Sequence, residues 1–301
     1  MNYVDMIITD ITRIGDPQIL LYEGKYYSYA TSSGEGFLVW ESEDLVHWSE
    51  PTLCFRAIDF WGKSHFWAPE VVYHNGKFVM HYTAMSRELN SLRLGVAVAD
   101  DPKGPFTDIH GRPMFDFGYA AIDGSVLVCE EGNYFYYSRD CSENIIDGVK
   151  TSQIYCVPLD DTLTNVIGEA KLMTTPDQEF EFKSMNINHL WNEGPCVIYR
   201  DGKYIMNYSA NCYATNDYAI CVATADSPMG PWTKSANNPV LSCREDLFGA
   251  GHNAFFTGRD GELYTSFHIQ TNPEKPSGNR RTVVGKVTFG EKNGEIYQTI
   301  E

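Results

Sequence analysis

Three acidic residues stand in turn-forming settings just ahead of apolar, alternating runs: Asp16 in GDPQ, Asp123 in IDGS and Glu193 in NEGP. Such residues can break an acetal when one carboxyl stays protonated and another stays ionised. The acid protonates the leaving oxygen while the base activates water on the opposite face. A single carboxylate at a strand start is ordinarily a loop cap. Three delivered to one aromatic-lined, water-poor place cannot all ionise freely, and at least one pKa is pushed upward. Trp67 in FWAPE and His252 in GHNA occupy comparable settings. Gly194 and Pro195, behind Glu193, suit a backbone that turns sharply from a loop into a tightly packed strand.

The elements that must position these residues repeat. QILLYEGKYYSYAT (18–31), EVVYHNGKFVMHYTA (70–84), SVLVCEEGNYFYYS (125–138), CVIYRDGKYIMNYS (196–209) and AFFTGRDGELYTSF (254–267) share an apolar strand, a Gly turn and an aromatic-rich strand. That is a hairpin plan. The second halves repeat too: residues 75–107 and 201–233 align without a gap at an offset of 126, and FLVWESEDLVHWS (37–49) is a looser copy. Five four-stranded units predict an all-β, five-bladed β-propeller, filling residues 1–301 as a single domain with no accessory β-sandwich. The residues before Asp16 and the final GEIYQT read as edge strands near ring closure. In a propeller the first strand of each blade runs along the central channel, so its leading residues ring one mouth. Counting back from the turn glycines places Asp16, Trp67, Asp123, Glu193 and His252 at that mouth as five equivalent positions.

Composition narrows the partners. Forty acidic against 23 basic residues give a net charge of −17, with no basic block, which argues against nucleic acid. The first ten residues, MNYVDMIITD, have the form of neither a signal peptide nor a membrane span, and a reducing, cytoplasmic location is the expectation. Eight scattered cysteines without a CxxC pair read as small buried thiols rather than a zinc site.

GDPQ, WESEDLVHW, FWAPEV, AIDGS, NEGP, GAGH and a late Arg before a closing strand, in this order and each at its own blade, resemble glycoside hydrolase family 43 from about residue 14 to 290. The resemblance implies inverting enzymes acting mainly on arabinofuranosides and xylosides, with water as nucleophile and no organic cofactor. By the same resemblance Asp16 is the general base, Glu193 the general acid, and Asp123 the residue that orients Glu193 and holds its pKa up. Arg280 best matches a sugar-binding Arg; Arg281, one step away, would face the other side of a strand, so only one of them serves. His252 resembles a channel histidine that, in some members, ligates a calcium ion through waters and in others steadies the Arg. Calcium itself prefers a cage of oxygens.

Trp67, Phe66 and Trp61 are expected as a sugar-stacking wall, and Trp40, Trp48 and Trp232 as blade packing. Two stretches match no family-wide pattern. DCSENIIDGVKTS (140–152) reads as polar and exposed, whereas TTPDQEFEFKSMNINHLW (174–191) is aromatic enough to lie over the mouth. The expected activity is exo-acting release of terminal α-L-arabinofuranosyl, or next β-D-xylosyl, groups from oligosaccharides or polysaccharides. The alternatives are a galactoside- or fructoside-cleaving propeller and a propeller that binds glycans without turnover.

Overall fold

Alternating apolar strands joined by tight turns cannot bury both faces alone, so they stack as blades around an axis. The computed structural model describes residues 6–31, 34–244, 247–292 and 294–301; the first five residues of the amino-terminal segment considered above lie outside them. Five antiparallel sheets make the ring. Blade I comprises Gln18–Tyr22, Lys25–Tyr29, Gly36–Ser42 and Thr52–Arg56. Blade II comprises Gly62–His74, Lys77–Ser86, Leu92–Ala99 and Thr107–Asp108. Blade III comprises Ala121–Cys129, Gly132–Arg139, Gln153–Leu159 and Lys171–Thr174. Blade IV comprises Asn192–Arg200, Lys203–Ala210, Ala219–Ala225 and Thr233–Lys234.

Blade V closes the ring. Its strands Gly251–Thr257, Leu263–Gln270 and Arg280–Lys292 take Ile7–Thr12 from the amino-terminal segment as their outer neighbour, with Ile8 opposite Val283. Glu295–Ile300 pairs with the far half of Arg280–Lys292, Val287 opposite Ile300. Both terminal stretches are therefore the edge strands expected, tied to one long strand. No helix of the described residues is long and apolar enough to cross a membrane.

Packing between blades is aromatic. Tyr82 lies among Phe37, Phe55 and Phe60 between blades I and II, and Tyr208 and Tyr136 belong to the cluster between III and IV. Trp40 is buried, Trp48 donates its indole N–H to Leu45 O, and Trp232 stands edge-on to Tyr136, all as blade packing. Five of the eight free cysteines are buried.

Every inner strand carries the same bulge at its mouth end. In blade II Trp67 pairs with Thr83, but the next pair is Glu70 with His81, so two residues oppose one. The same step separates Ile122 from Ser125, Glu193 from Cys196 and Gly251 from Ala254. In blade I the Gly15 carbonyl accepts from Thr31 N–H, and the next pair is Gln18 with Tyr29. The first bulge residue is left-handed each time: Asp16 (φ 58°), Ala68 (43°), Asp123 (57°), Gly194 (55°) and His252 (50°). That conformation costs about 1–2 kcal/mol for a residue with a Cβ.

A ring of hydrogen bonds holds these strained residues. The N–H of Ala68 donates to Thr31 Oγ1 (3.0 Å), Asp123 to Thr83 Oγ1 (3.2 Å), Gly194 to Ser138 Oγ (3.2 Å) and His252 to Ser209 Oγ (2.7 Å). Asp16 closes the circle by donating to His268 Nδ1 (3.1 Å). Each acceptor belongs to the second strand of the preceding blade or, for Thr31, lies just past its end, opposite the residue before that blade's own bulge. Four are hydroxyls and the fifth is an imidazole.

The equivalence read from the turn glycines shifts by one residue in two blades. Glu193 and Trp67 occupy the paired position before the bulge, and Gly194 and Ala68 are the true counterparts of Asp16, Asp123 and His252. The bulge breaks the simple alternation of a strand, so residues from both positions face the mouth.

Candidate active site

The mouth opens into a pocket of about 380 Å³ lined on two tiers. Paired positions supply Trp67, Ile122 and Glu193; bulge positions supply Asp16, Asp123 and His252. The bulge tier also lines a cavity of about 30 Å³ deeper in the channel, alongside Glu70. All three carboxylates expected at the mouth are thus brought together, and the environment drives them apart electrostatically.

Asp16 is the ionised one. Arg280 Nη1 lies 2.8 Å from its Oδ1, with His252 Nδ1 at 3.3 Å, while Thr31 Oγ1 donates to Oδ2. Burial would raise the Asp16 pKa, but the positive charge of Arg280, assisted by His252, holds it well below the usual carboxylate range. A Cβ on Gly15 would fall 1.9 Å from Arg280 Cζ, so the glycine of GDPQ makes room for the guanidinium. Arg280 lies over the Tyr213 ring, its Cζ 4.8 Å from the centroid. Of the arginine pair, Arg280 lines the pocket and Arg281 does not.

Glu193 is the protonated one. Burial, then the neighbouring charge of Asp123, pushes its pKa well above the ordinary value, opposed by a hydrogen bond from Tyr218. Asp123 accepts from Gly194 N–H (3.2 Å) and from Ser138 Oγ (3.4 Å). Burial lifts its pKa to about 6 against the pull of His252. His268 remains neutral: burial lowers its pKa to about 3, which suits a ring whose Nδ1 must accept from Asp16 N–H. A held-down carboxylate and a pushed-up carboxylic acid in one pocket form the pair that acid–base hydrolysis uses.

The residues around His252 do not fit a directly ligated calcium ion. Among the described residues no three His, Cys, Asp or Glu side chains are placed to hold a metal, and His252 is instead paired with Asp16. No step below runs through a metal.

Two of the three expected wall aromatics lie elsewhere. Phe66 is 3% exposed and packs against Phe37 and Phe60, because Trp67 beside it takes the outward place. Trp61 stacks on Tyr82 and donates to Asp108 Oδ2 (3.1 Å), which makes it part of the seam between blades I and II. Trp67 does line the pocket, edge-on to His65.

The segment 140–152 corrects the reading of an exposed polar loop. Asp140, Cys141, Asn144, Thr151 and Ser152 are buried, and Asp140, Cys141, Ser142 and Lys150 line the pocket. Its polar groups satisfy one another instead of water: Asn144 Nδ2 donates to Thr151 O (2.7 Å) and Gln153 Oε1 (3.0 Å). Ile145–Ile146, Val149–Thr151 and His189–Leu190 then form a small extra sheet that joins it to the second loop. That second loop does reach the pocket, through His189 and Trp191, whose rings stack at 5.4 Å.

Tyr213, Tyr218, Asp140 and Lys150 were not found from sequence. For Tyr218 a signal existed in the 126-residue repeat, where it aligns with Leu92 as Glu193 aligns with Trp67. Tyr213 stands where the repeat has Arg87, so its type is not shared, and Lys150 lies in a segment without a counterpart in the repeat.

Comparison with known proteins agrees with the geometry. The model of the family "Glycosyl hydrolases family 43" matches residues 11–294. A solved structure described as a thermostable family-43 glycoside hydrolase is 41% identical, with TM-score 0.91, over 98% of this chain and 94% of that one. A β-D-galactofuranosidase of Aspergillus niger is 24% identical over 93% of this chain and 81% of its own length. An arabinoxylan arabinofuranohydrolase of Paenibacillus polymyxa is 28% identical over 85% of this chain, which spans only 45% of that relative.

Proposed function

The chain belongs to glycosyl hydrolases family 43, and from that premise we propose that it is an inverting, exo-acting hydrolase of terminal α-L-arabinofuranosyl groups, with β-D-xylosyl groups next. The observation that carries the mechanism is that one pocket holds Asp16 against Arg280 and buries Glu193 near Asp123, which drives the two pKa values in opposite directions. Water bound beside Asp16 gives up a proton to its carboxylate as the water oxygen bonds the anomeric carbon. Glu193 delivers its proton to the departing oxygen as the glycosidic bond breaks. Asp123 keeps that acid charged with its proton, and Arg280 both holds Asp16 ionised and faces the sugar. Trp67 offers an apolar face to the ring C–H groups. Water is the nucleophile, so the reaction needs no organic cofactor.

The arabinose preference rests on the family and on relatives named for furanosides; a β-D-galactofuranoside therefore belongs on the test panel beside aryl α-L-arabinofuranoside and β-D-xyloside. Asp16→Ala is expected to abolish release from every substrate. Glu193→Ala should spare aryl glycosides, whose phenolate leaves with little protonation, and lose about 10²–10⁴-fold on oligosaccharides. Equal loss by both variants on both substrate types would overturn the assignment of acid and base.

A further inference from the structure

Tyr218 stands directly ahead of the third strand of blade IV and is fully buried, yet its hydroxyl reaches the pocket and donates to Glu193 Oε1 at 2.9 Å. Its ring has little freedom to move. One face lies parallel to His268, centroids 5.4 Å apart at an angle of 8°. Beside His268 sits Gly251, its partner across the strands, where an added Cβ would come within 2.1 Å of the Tyr218 ring. Gly251, the second glycine of GAGH, is thus small because Tyr218 occupies the space. His268 is itself pinned by the Asp16 N–H. A chain of fixed contacts therefore runs from the backbone of the proposed base, through His268 and Tyr218, to the carboxyl of the proposed acid.

We infer that Tyr218 is a positioning residue that selects which oxygen of Glu193 delivers the proton. This rests on Glu193 being the general acid. Oε1 accepts the tyrosine O–H, so the carboxyl proton is left to Oε2. As the glycosidic C–O bond breaks, that Oε2 proton passes to the leaving oxygen, while the incoming water bonds the anomeric carbon and loses its proton to Asp16. Without the Tyr218 donor the carboxyl can rotate and protonate on either oxygen, and proton delivery falls out of line with the leaving group.

The experiment compares one aryl and one alkyl glycoside of whichever sugar the wild-type enzyme releases. Tyr218→Phe should hold kcat/KM on the aryl glycoside within about threefold, yet lose about 30-fold on the alkyl glycoside, where protonation limits the step. Retained aryl turnover also shows that the variant folds. Equal losses on the two glycosides, or no loss on either, would overturn the inference provided Glu193→Ala discriminates between them. Should Glu193→Ala itself fail to discriminate, the acid assignment falls first and the role of Tyr218 with it.

Discussion

Blades II and IV are near copies that diverge where they meet the pocket. Lys77 and Asp100 pair across blade II as Lys203 and Asp226 do across blade IV. Tyr82 and Thr83 recur as Tyr208 and Ser209, and Pro69 recurs as Pro195. At the mouth, however, Trp67 and Leu92 of blade II become Glu193 and Tyr218 of blade IV. Trp67 packs against the small cluster that includes Leu92, and Tyr218 donates to Glu193. The same coupling appears further out. Tyr82 donates to Asp108, whereas Tyr208 donates to Glu181, and Lys234 stands where Asp108 does in the repeat. A repeated scaffold supplies the bulge and its hydroxyl clamp; chemistry enters through substitutions made two at a time, so that no new polar group is left without a partner.

The largest effect expected from that contrast is on stability. Glu181 is fully buried and accepts from Lys234 Nζ (2.7 Å), Asn192 Nδ2 (2.9 Å), Tyr208 Oη (3.0 Å) and two backbone N–H groups. Lys234→Met leaves a buried carboxylate without its cation and should cost about 3–5 kcal/mol. Asp108→Asn, at the matching place in blade II, keeps an acceptor for Tyr82 and Trp61 but loses the one for the N–H groups of His110 and Gly111, and should cost about 1–3 kcal/mol. Urea midpoints of the two variants measure the difference. Equal midpoints would mean that the Glu181 clamp does not hold the 174–191 loop against blade IV.

Next in size is the effect of Asp123, on blade III between the two. Its charge helps keep the Glu193 pKa high, and the acid works only while protonated, so activity is lost as pH rises through that raised pKa. Asp123→Asn removes the charge, lowers the Glu193 pKa and moves the alkaline limb of the rate profile to lower pH. Activity near neutrality should fall about 100-fold. Binding on the Trp67 side of the pocket should change little. A limb that stayed in place, or moved up, would show that burial alone sets the acid and that Asp123 is only a support.

The parts of this design that repeat were legible in the sequence, and the parts that do not were obscured. Five hairpins, the three carboxylates and the arginine followed from turn glycines, spacing and family likeness. The bulge was not visible, because an extra residue in the left-handed region leaves no mark when its occupants are Asp, Ala, Asp, Gly and His. Turn spacing therefore aligns Glu193 with Asp16 although it stands one residue earlier. Adjacency to Trp67 points Phe66 to the wall, yet aromatic type alone does not tell which side of a strand faces sugar. The 140–152 segment looked exposed because its composition is polar; its polar atoms bond one another across a small sheet that only the folded chain assembles.

The smallest effect tests the division of labour directly. Trp67 and Glu193 occupy the same register position in their blades, one offering a ring to the sugar and the other a proton to the leaving group. A stacking face binds substrate and transition state alike, so Trp67→Ala should raise KM about tenfold and leave kcat nearly unchanged. Substitution at Glu193 should instead lower kcat, because its proton is needed only as the bond breaks. Steady-state kinetics on an oligosaccharide separate the two patterns. A fall in kcat with KM unchanged for Trp67→Ala would place the ring in contact with the reacting centre, and blade II would then share in catalysis rather than only present the sugar to blade IV.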